Sequence, residues 1–211
     1  MNQKGILIAI EGIDGSGKST LAKNLFAHLE KKHTVLLTKE PGGSTLGKTI
    51  RGIVQQQEML ICPKAEYLLF AADRAQHFQE VIIPALTKGV IVISDRMGDS
   101  SVVYQGYARG LDIDMIKSIN IWAMQNRTPD ITIFVQINPE LAYQRLIKRK
   151  ETLTTFEREN ETFMKKVDEG FRALYQNRND VILINGADDE ETVLKNTLSA
   201  LTQRLSQHER I

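Results

Sequence analysis

Gly12-Ile13-Asp14-Gly15-Ser16-Gly17-Lys18-Ser19 fits the pattern of a phosphate-binding loop: glycine, four residues, glycine, lysine, then serine or threonine. The context is the one the pattern needs. An apolar run of strand length, residues 6–10, precedes it, and Leu21, Leu25 and Leu29 recur at a spacing of four within residues 18–32, as on one helix face. Glycines let the backbone curl until its N–H groups point inward at phosphate oxygens. The helix that follows adds the partial positive charge of its N-terminus. Lys18 can reach the β- and γ-phosphates, and the Ser19 hydroxyl can ligate Mg²⁺. The expected ATP- or GTP-binding loop is Gly12, Ile13, Asp14, Gly15, Ser16, Gly17, Lys18, Ser19 and Thr20.

Outward from this loop, short apolar runs rich in Ile and Val alternate with longer amphipathic stretches. Further runs are residues 35–38, 90–94, 131–137 and 181–184, apolar at nearly every position, as parallel strands covered on both faces would be. The other helical stretches are 65–86, irregular near Pro84, then 113–126, 139–149, 157–177 and 190–207. Strand then helix, repeated, predicts an α/β fold: a doubly wound five-stranded parallel sheet flanked by helices. Ligands of such sheets sit at the carboxyl ends of the strands. We read residues 1–211 as one domain.

Composition narrows the partners. The net charge is +1, which gives no global attraction to nucleic acid or membrane. Residues 6–10 are too short a run for a signal segment or a membrane span, and the single cysteine, Cys62, excludes an intramolecular disulfide. Cys62 is expected to be packed or half-exposed, and the location cytoplasmic. His28, His33, His77 and His208 have no metal-ligand spacing, so Mg²⁺ arriving with the nucleotide is the one metal implied.

Two segments after the apolar runs bear on the chemistry. Ser94-Asp95-Arg96 should emerge beside the phosphate loop, with Asp95 in the Mg²⁺ shell and Arg96 bridging phosphates. Lys39-Glu40-Pro41-Gly42-Gly43 reads as a tight loop that a ligand can approach closely, and Arg51 follows one helical stretch later.

With these residues the chain resembles the bacterial thymidylate kinases. The matching segments are Gly12 to Thr20, Glu40-Pro41-Gly42-Gly43, Leu69-Phe70-Ala71-Ala72-Asp73-Arg74-Ala75-Gln76-His77, Asp95-Arg96, Ser100-Ser101 with Tyr104-Gln105-Gly106, and Arg127-Thr128-Pro129-Asp130. The resemblance implies a P-loop kinase fold with a lid, and phosphorylation of thymidine monophosphate to the diphosphate with ATP and Mg²⁺, in dTTP synthesis. It also implies a homodimer. It places Phe70 on the thymine ring, Arg74 near a base carbonyl and Gln105 on the imide edge with Ser101 beside it. Tyr104 falls against the sugar, where bulk excludes a 2′-hydroxyl, and Asp14 on the 3′-hydroxyl. Arg51 and Arg96 grip the acceptor phosphate, with Glu40 in the same pocket. Lys18, Asp95, Arg96 and a lid arginine form the catalytic set.

Three positions depart from the family pattern. Thr154-Thr155 precede Phe156-Glu157 where an Asp-Arg pair is common, so within the lid, residues 145–159, we assign the catalytic role to Arg149, with Lys148, Lys150 and Arg158 as alternatives, and place Arg145 nearer the adenine. Met97 replaces an aromatic and should repack the same wall. Lys39 stands where arginine is common. Two other readings compete. A deoxynucleoside kinase would use Asp95 or Glu40 as a base toward a neutral hydroxyl, but Arg51, Arg74 and Arg96 favour an acceptor that bears a phosphate. A GTP-binding switch needs Asn-Lys-x-Asp, and the nearest segment is Asn177-Arg178-Asn179-Asp180.

Overall fold

β1 (Leu7–Glu11) is buried at every position because it lies at the centre of a sheet covered on both faces. The computed structural model describes residues 5–56, 60–149 and 161–206. In it β1 joins β2 (Val35–Lys39), β3 (Ile91–Asp95), β4 (Ile131–Gln136) and β5 (Val181–Asn185) in one five-stranded parallel sheet of order β2-β3-β1-β4-β5. Ile8 lies opposite Ile93 on one side of β1 and opposite Ile131 on the other. The chain runs from β1 out to the β2 edge, back to β3, and then across β1 to β4. That reversal opens a crevice at the carboxyl end of β1.

The flanking helices are α1 (Lys18–Leu29), α2 (Thr45–Gln55), α3 (Pro63–His77), α4 (Ile83–Thr87), α5 (Gly98–Ser101), α6 (Ile113–Ala123), α7 (Pro139–Lys148), α8 (Glu161–Tyr175) and α9 (Glu190–Ser206). The single helix expected over 65–86 is α3 and α4 joined by a π-helical turn, Phe78–Ile82. Pro84 lies just after that π-helical turn, which accommodates the N–H that proline lacks. Several N-termini are closed by side chains: Ser44 accepts from the Gly47 N–H at 3.0 Å, and Asp112 from the Met115 N–H at 2.9 Å. α1 differs. It begins at Gly17 (φ 92°) with no side-chain cap, so its first N–H groups remain available to a ligand.

Alternating strand residues feed two cores. Ile8, Ile10, Ile93, Ile133 and Val135 meet Leu21 and Leu25 of α1 and Val193 and Leu201 of α9. On the other face Leu7, Ala9 and Val92 meet Phe78, Ile82, Met97 and Met124. Phe134 stacks with Phe171 and Tyr175 of α8, ring centroids 5.3 and 5.1 Å away. Full burial of each Val, Leu, Ile, Met or Phe side chain among these contributes about 1.5–3 kcal/mol. Met97 is 1% exposed and packs where the sequence suggested a repacked wall. Cys62, expected to be packed or half-exposed, is exposed, because it precedes Pro63 at the start of α3. Among the described residues no helix is long and apolar enough to cross a membrane.

Candidate active site

A cleft of 1270 Å³ crosses the carboxyl ends of the strands from Arg145 at one end to Phe70 and Gln105 at the other. A pocket for one small ligand spans roughly 300–1,000 Å³, so this cleft has room for two nucleotides.

The phosphate loop forms one end. Gly15 has φ 82°, and a Cβ there would lie 2.3 Å from the Ala142 carbonyl oxygen, so only glycine fits between the loop and α7. Lys18 is buried, with Nζ donating to the Ile13 carbonyl at 3.2 Å and to Asp14 at 3.3 Å. Burial, then the charge of Arg96, lowers its pKa, while Asp14 and Asp95 push back. The Ser19 hydroxyl donates to Asp95 Oδ2 at 2.5 Å. Asp95 Oδ1 and the Ser16 hydroxyl are buried with no hydrogen-bond partner among the described residues. Two hard oxygen donors, one with an unused lone pair, suit Mg²⁺, which takes few protein ligands and shares phosphate oxygens. Arg145 donates to the carbonyls of Gly186 (2.7 Å) and Ala187 (3.3 Å), fixing the β5–α9 connection beside the loop. Arg149 follows α7 and lines the cleft. Residues 150–159 of the expected lid lie outside the described residues.

Arg96 links the two ends. It is a non-glycine residue at φ 71°, a conformation disfavoured for side chains bearing Cβ. Its Nη1 donates to the Gly12 carbonyl (3.1 Å) and the Ser100 hydroxyl (3.0 Å), and its Nη2 to Asp14 (2.5 Å) and the Tyr104 hydroxyl (3.2 Å). The guanidinium carbon lies 5.1 Å from the Tyr104 ring centroid. Burial alone would raise the Asp14 carboxyl, but Arg96 and Lys18 outweigh it and hold Asp14 far below the usual carboxylate range. Asp14 also accepts from the Tyr104 hydroxyl at 3.1 Å.

The far end is assembled from α3, α5 and the π-helical turn Val102–Ala108 that extends α5. Phe70, Arg74, Ser101, Tyr104 and Gln105 all line it, as do Glu40 and Arg51. Arg51 donates to the Pro41 carbonyl at 3.0 Å, and the Gly42 N–H donates to Asp73 at 3.0 Å, so both shape the Pro41-Gly42 loop. Burial, then the neighbouring Glu40, pushes the Asp73 carboxyl up to about 6. Arg74 lines the cleft but is 2% exposed, and its guanidinium bonds to Glu40 (2.9 Å), Asn120 (2.7 Å), the Met97 carbonyl (3.4 Å) and Ser101 (3.1 Å). Of its five donors these four bonds leave one for a ligand group such as a base carbonyl, so Arg74 also braces the pocket wall. His77 completes that brace, bonded to Glu40 at 3.1 Å and Thr38 at 2.7 Å.

Sequence reasoning passed over Glu11, Glu66 and Asn120. Glu11 ends β1 fully buried, accepting from the Met97 N–H at 2.7 Å and the Ser100 hydroxyl at 2.5 Å. A charge closing an otherwise apolar strand was the available signal. Burial, then Asp99, raises its pKa from 4.5 to about 7. The native state thus holds this proton in a window where the unfolded chain has lost it. Its stabilising effect is full below about pH 4.5 and is lost as pH rises through about 7. Glu11→Gln should therefore gain stability relative to the parent between pH 5 and 8, by on the order of 2–3 kcal/mol. Thermal melts across that range check this. Parallel curves for the two proteins would count against a buried, titrating Glu11.

The chain is similar to proteins of one family. The family model "Thymidylate kinase" matches residues 10–197. The thymidylate kinase of Caldanaerobacter subterraneus subsp. tengcongensis is 42% identical over 204 residues, 96% of this chain and 97% of the relative. That of Thermoanaerobacter sp. (strain X514) is 46% identical over 169 residues, 80% and 82% of the two chains. The crystal structure of thymidylate kinase from Ehrlichia chaffeensis superposes with a TM-score of 0.77 at 29% identity, covering 94% of this chain and 99% of that one. With the family model matching residues 10–197 and relatives 42% and 46% identical along most of its length, the chain belongs to the thymidylate kinase family and phosphorylates thymidine monophosphate.

Proposed function

We infer that the chain transfers the γ-phosphoryl group of ATP to the phosphate of dTMP, giving dTDP and ADP, as a step of dTTP synthesis. One observation carries this reading: the phosphate loop and a second, arginine-walled pocket open onto one continuous cleft. The donor phosphates rest on the uncapped N-terminus of α1 with Lys18, and Arg145 lies on the side of the adenine. The thymine lies on Phe70, the sugar against Tyr104 and Asp14, and the acceptor phosphate between Arg51 and Arg96.

In the step an oxygen of the dTMP phosphate bonds to the γ-phosphorus while the bond to the β-phosphate bridging oxygen breaks. The acceptor oxygen is already ionised near pH 7, so no strong general base is needed. Positioning and neutralisation of charge supply the acceleration. Lys18, Arg96 and the lid arginine, which we assign to Arg149, provide the cations, and Arginine forks suit phosphate oxygens. Bound beside Ser19 and Asp95, Mg²⁺ would withdraw charge from the transferring phosphoryl oxygens.

ADP release measured across common nucleosides and their monophosphates tests this assignment. The expected result is fastest release with dTMP. Turnover of thymidine but not of dTMP would replace it with a deoxynucleoside kinase. Nothing in the comparisons favours that reading or the GTP-binding switch.

We further propose that the chain works as one domain, residues 1–211 with a lid at about 145–159, in the cytoplasm and without nucleic-acid or membrane partners. A homodimer is the proposed assembly. Leu68 of α3 and Met115 and Trp122 of α6 are large apolar side chains left exposed on two neighbouring helices, which a second copy would cover. Light scattering should give the mass of two chains, and Trp122→Glu should halve it. A monomer mass for the unaltered chain would remove this assembly.

A further inference from the structure

We propose that Glu66 determines which base the acceptor pocket takes, by fixing the orientation of the Gln105 amide. Glu66 sits in the first turn of α3 and is 7% exposed. Its Oε1 accepts from Gln105 Nε2 at 3.0 Å and from Arg109 Nε at 2.8 Å. A carboxylate only accepts hydrogen bonds. The nitrogen of the Gln105 amide must therefore face Glu66, and the carbonyl oxygen takes the opposite side. Gln105 is 2% exposed and lines the cleft, and its Oε1 accepts no hydrogen bond among the described residues. The pocket thus presents a bare acceptor beside one remaining amide hydrogen.

A glutamine free to turn would pair with either kind of pyrimidine edge. Thymine and uracil offer a ring N–H flanked by carbonyls, matching acceptor and donor in the fixed orientation. Cytosine offers a ring nitrogen lone pair beside an amino group, which matches only the turned amide. Held by Glu66, Gln105 sets its oxygen against the cytosine lone pair, and a buried acceptor left facing another acceptor is strongly disfavoured. Arg109 supplies the counter-charge that keeps Glu66 at this position, and its guanidinium carbon lies 5.0 Å from the Phe163 ring centroid. Glu66 need not touch the nucleotide; it is a positioning residue acting through Gln105.

This inference rests on the dTMP reading above, and the test separates the two. The ratio of kcat/KM for dTMP over dCMP is measured for the parent chain, Glu66→Gln, Glu66→Asp, Gln105→Ala and the double variant Glu66→Gln with Gln105→Ala. Glutamine at 66 can donate or accept, so it lets the Gln105 amide turn. Expected for Glu66→Gln is a fall in the ratio of at least about tenfold, carried mainly by a higher KM for dTMP. Glu66→Asp, still acceptor-only, should retain most of the ratio. In the Gln105→Ala background Glu66→Gln should change the ratio by less than about twofold, because the side chain it orients is gone. An unchanged ratio in Glu66→Gln, or the same fall with and without Gln105, overturns the inference while dTMP turnover by the parent stands. Should Glu66→Gln not fold, the parent chain is tested on N3-methyl-dTMP, and turnover equal to that of dTMP overturns the inference. A parent chain inactive on dTMP defeats the functional reading itself.

Discussion

Lys18→Ala will lower kcat by about a thousandfold or more while leaving the protein folded. Lys18 is the cation of the phosphate loop, seated by the Ile13 carbonyl and Asp14 beside the N-terminus of α1. Its charge is disfavoured in the unliganded chain by burial and by Arg96. Phosphates entering the loop reverse that balance, so the stabilisation is realised on the reacting species. Alanine removes the charge but keeps the curled backbone and its N–H groups. ATP should still bind, more weakly, and a thermal melt should show no loss of fold. Rapid-quench measurement at saturating ATP and dTMP checks the rate. A variant retaining a tenth of the parent kcat would remove Lys18 from the catalytic set.

Arg96→Ala is expected to be nearly as damaging, at about a hundred- to a thousandfold in kcat/KM for dTMP. The side chain makes four hydrogen bonds, to Gly12, Ser100, Asp14 and Tyr104. Its loss removes one partner of the Tyr104 hydroxyl, strips Asp14 of its strongest counter-charge and removes a cation from the acceptor end. Lysine should not rescue it, because a point charge cannot replace a planar fork with four partners. The backbone lets side-chain and conformational effects be separated. At φ 71° alanine is strained and glycine is not, so Arg96→Gly should be more stable than Arg96→Ala by about 1 kcal/mol. Both should be equally poor enzymes. Recovery of activity in the glycine variant would mean that Arg96 matters for its backbone alone.

The sheet was legible because its signals are local. Apolar runs 6–10 and 131–137 and the glycine-lysine loop each announce themselves within a dozen residues, and the strands fall there. The helical turn 98–108 was not legible. Tyr104-Gln105-Gly106 reads as a turn in isolation; what makes it helical is α8 packing on it, where a Cβ at Gly170 would lie 2.9 Å from Tyr107. The brace around Arg74 was equally hidden. Glu40, Asn120, Met97 and Ser101 lie 23 to 46 residues away in sequence, so the arginine looked fully available for substrate when the fold had already engaged most of its donors. Glu66 escaped notice for the same reason, its partners lying 39 and 43 residues on. Residue types at the site could thus be read from the motifs, but which donors remained for a ligand depended on tertiary contacts.

The most direct test follows the phosphoryl group itself. The chain is given ATP labelled with ³²P at the γ-position, dTMP and Mg²⁺, and the products are separated by thin-layer chromatography. The expected result is label in dTDP, in amounts equal to the ADP formed. Label released as inorganic phosphate, or none leaving ATP in the presence of dTMP, would contradict transfer between two nucleotides held in one cleft.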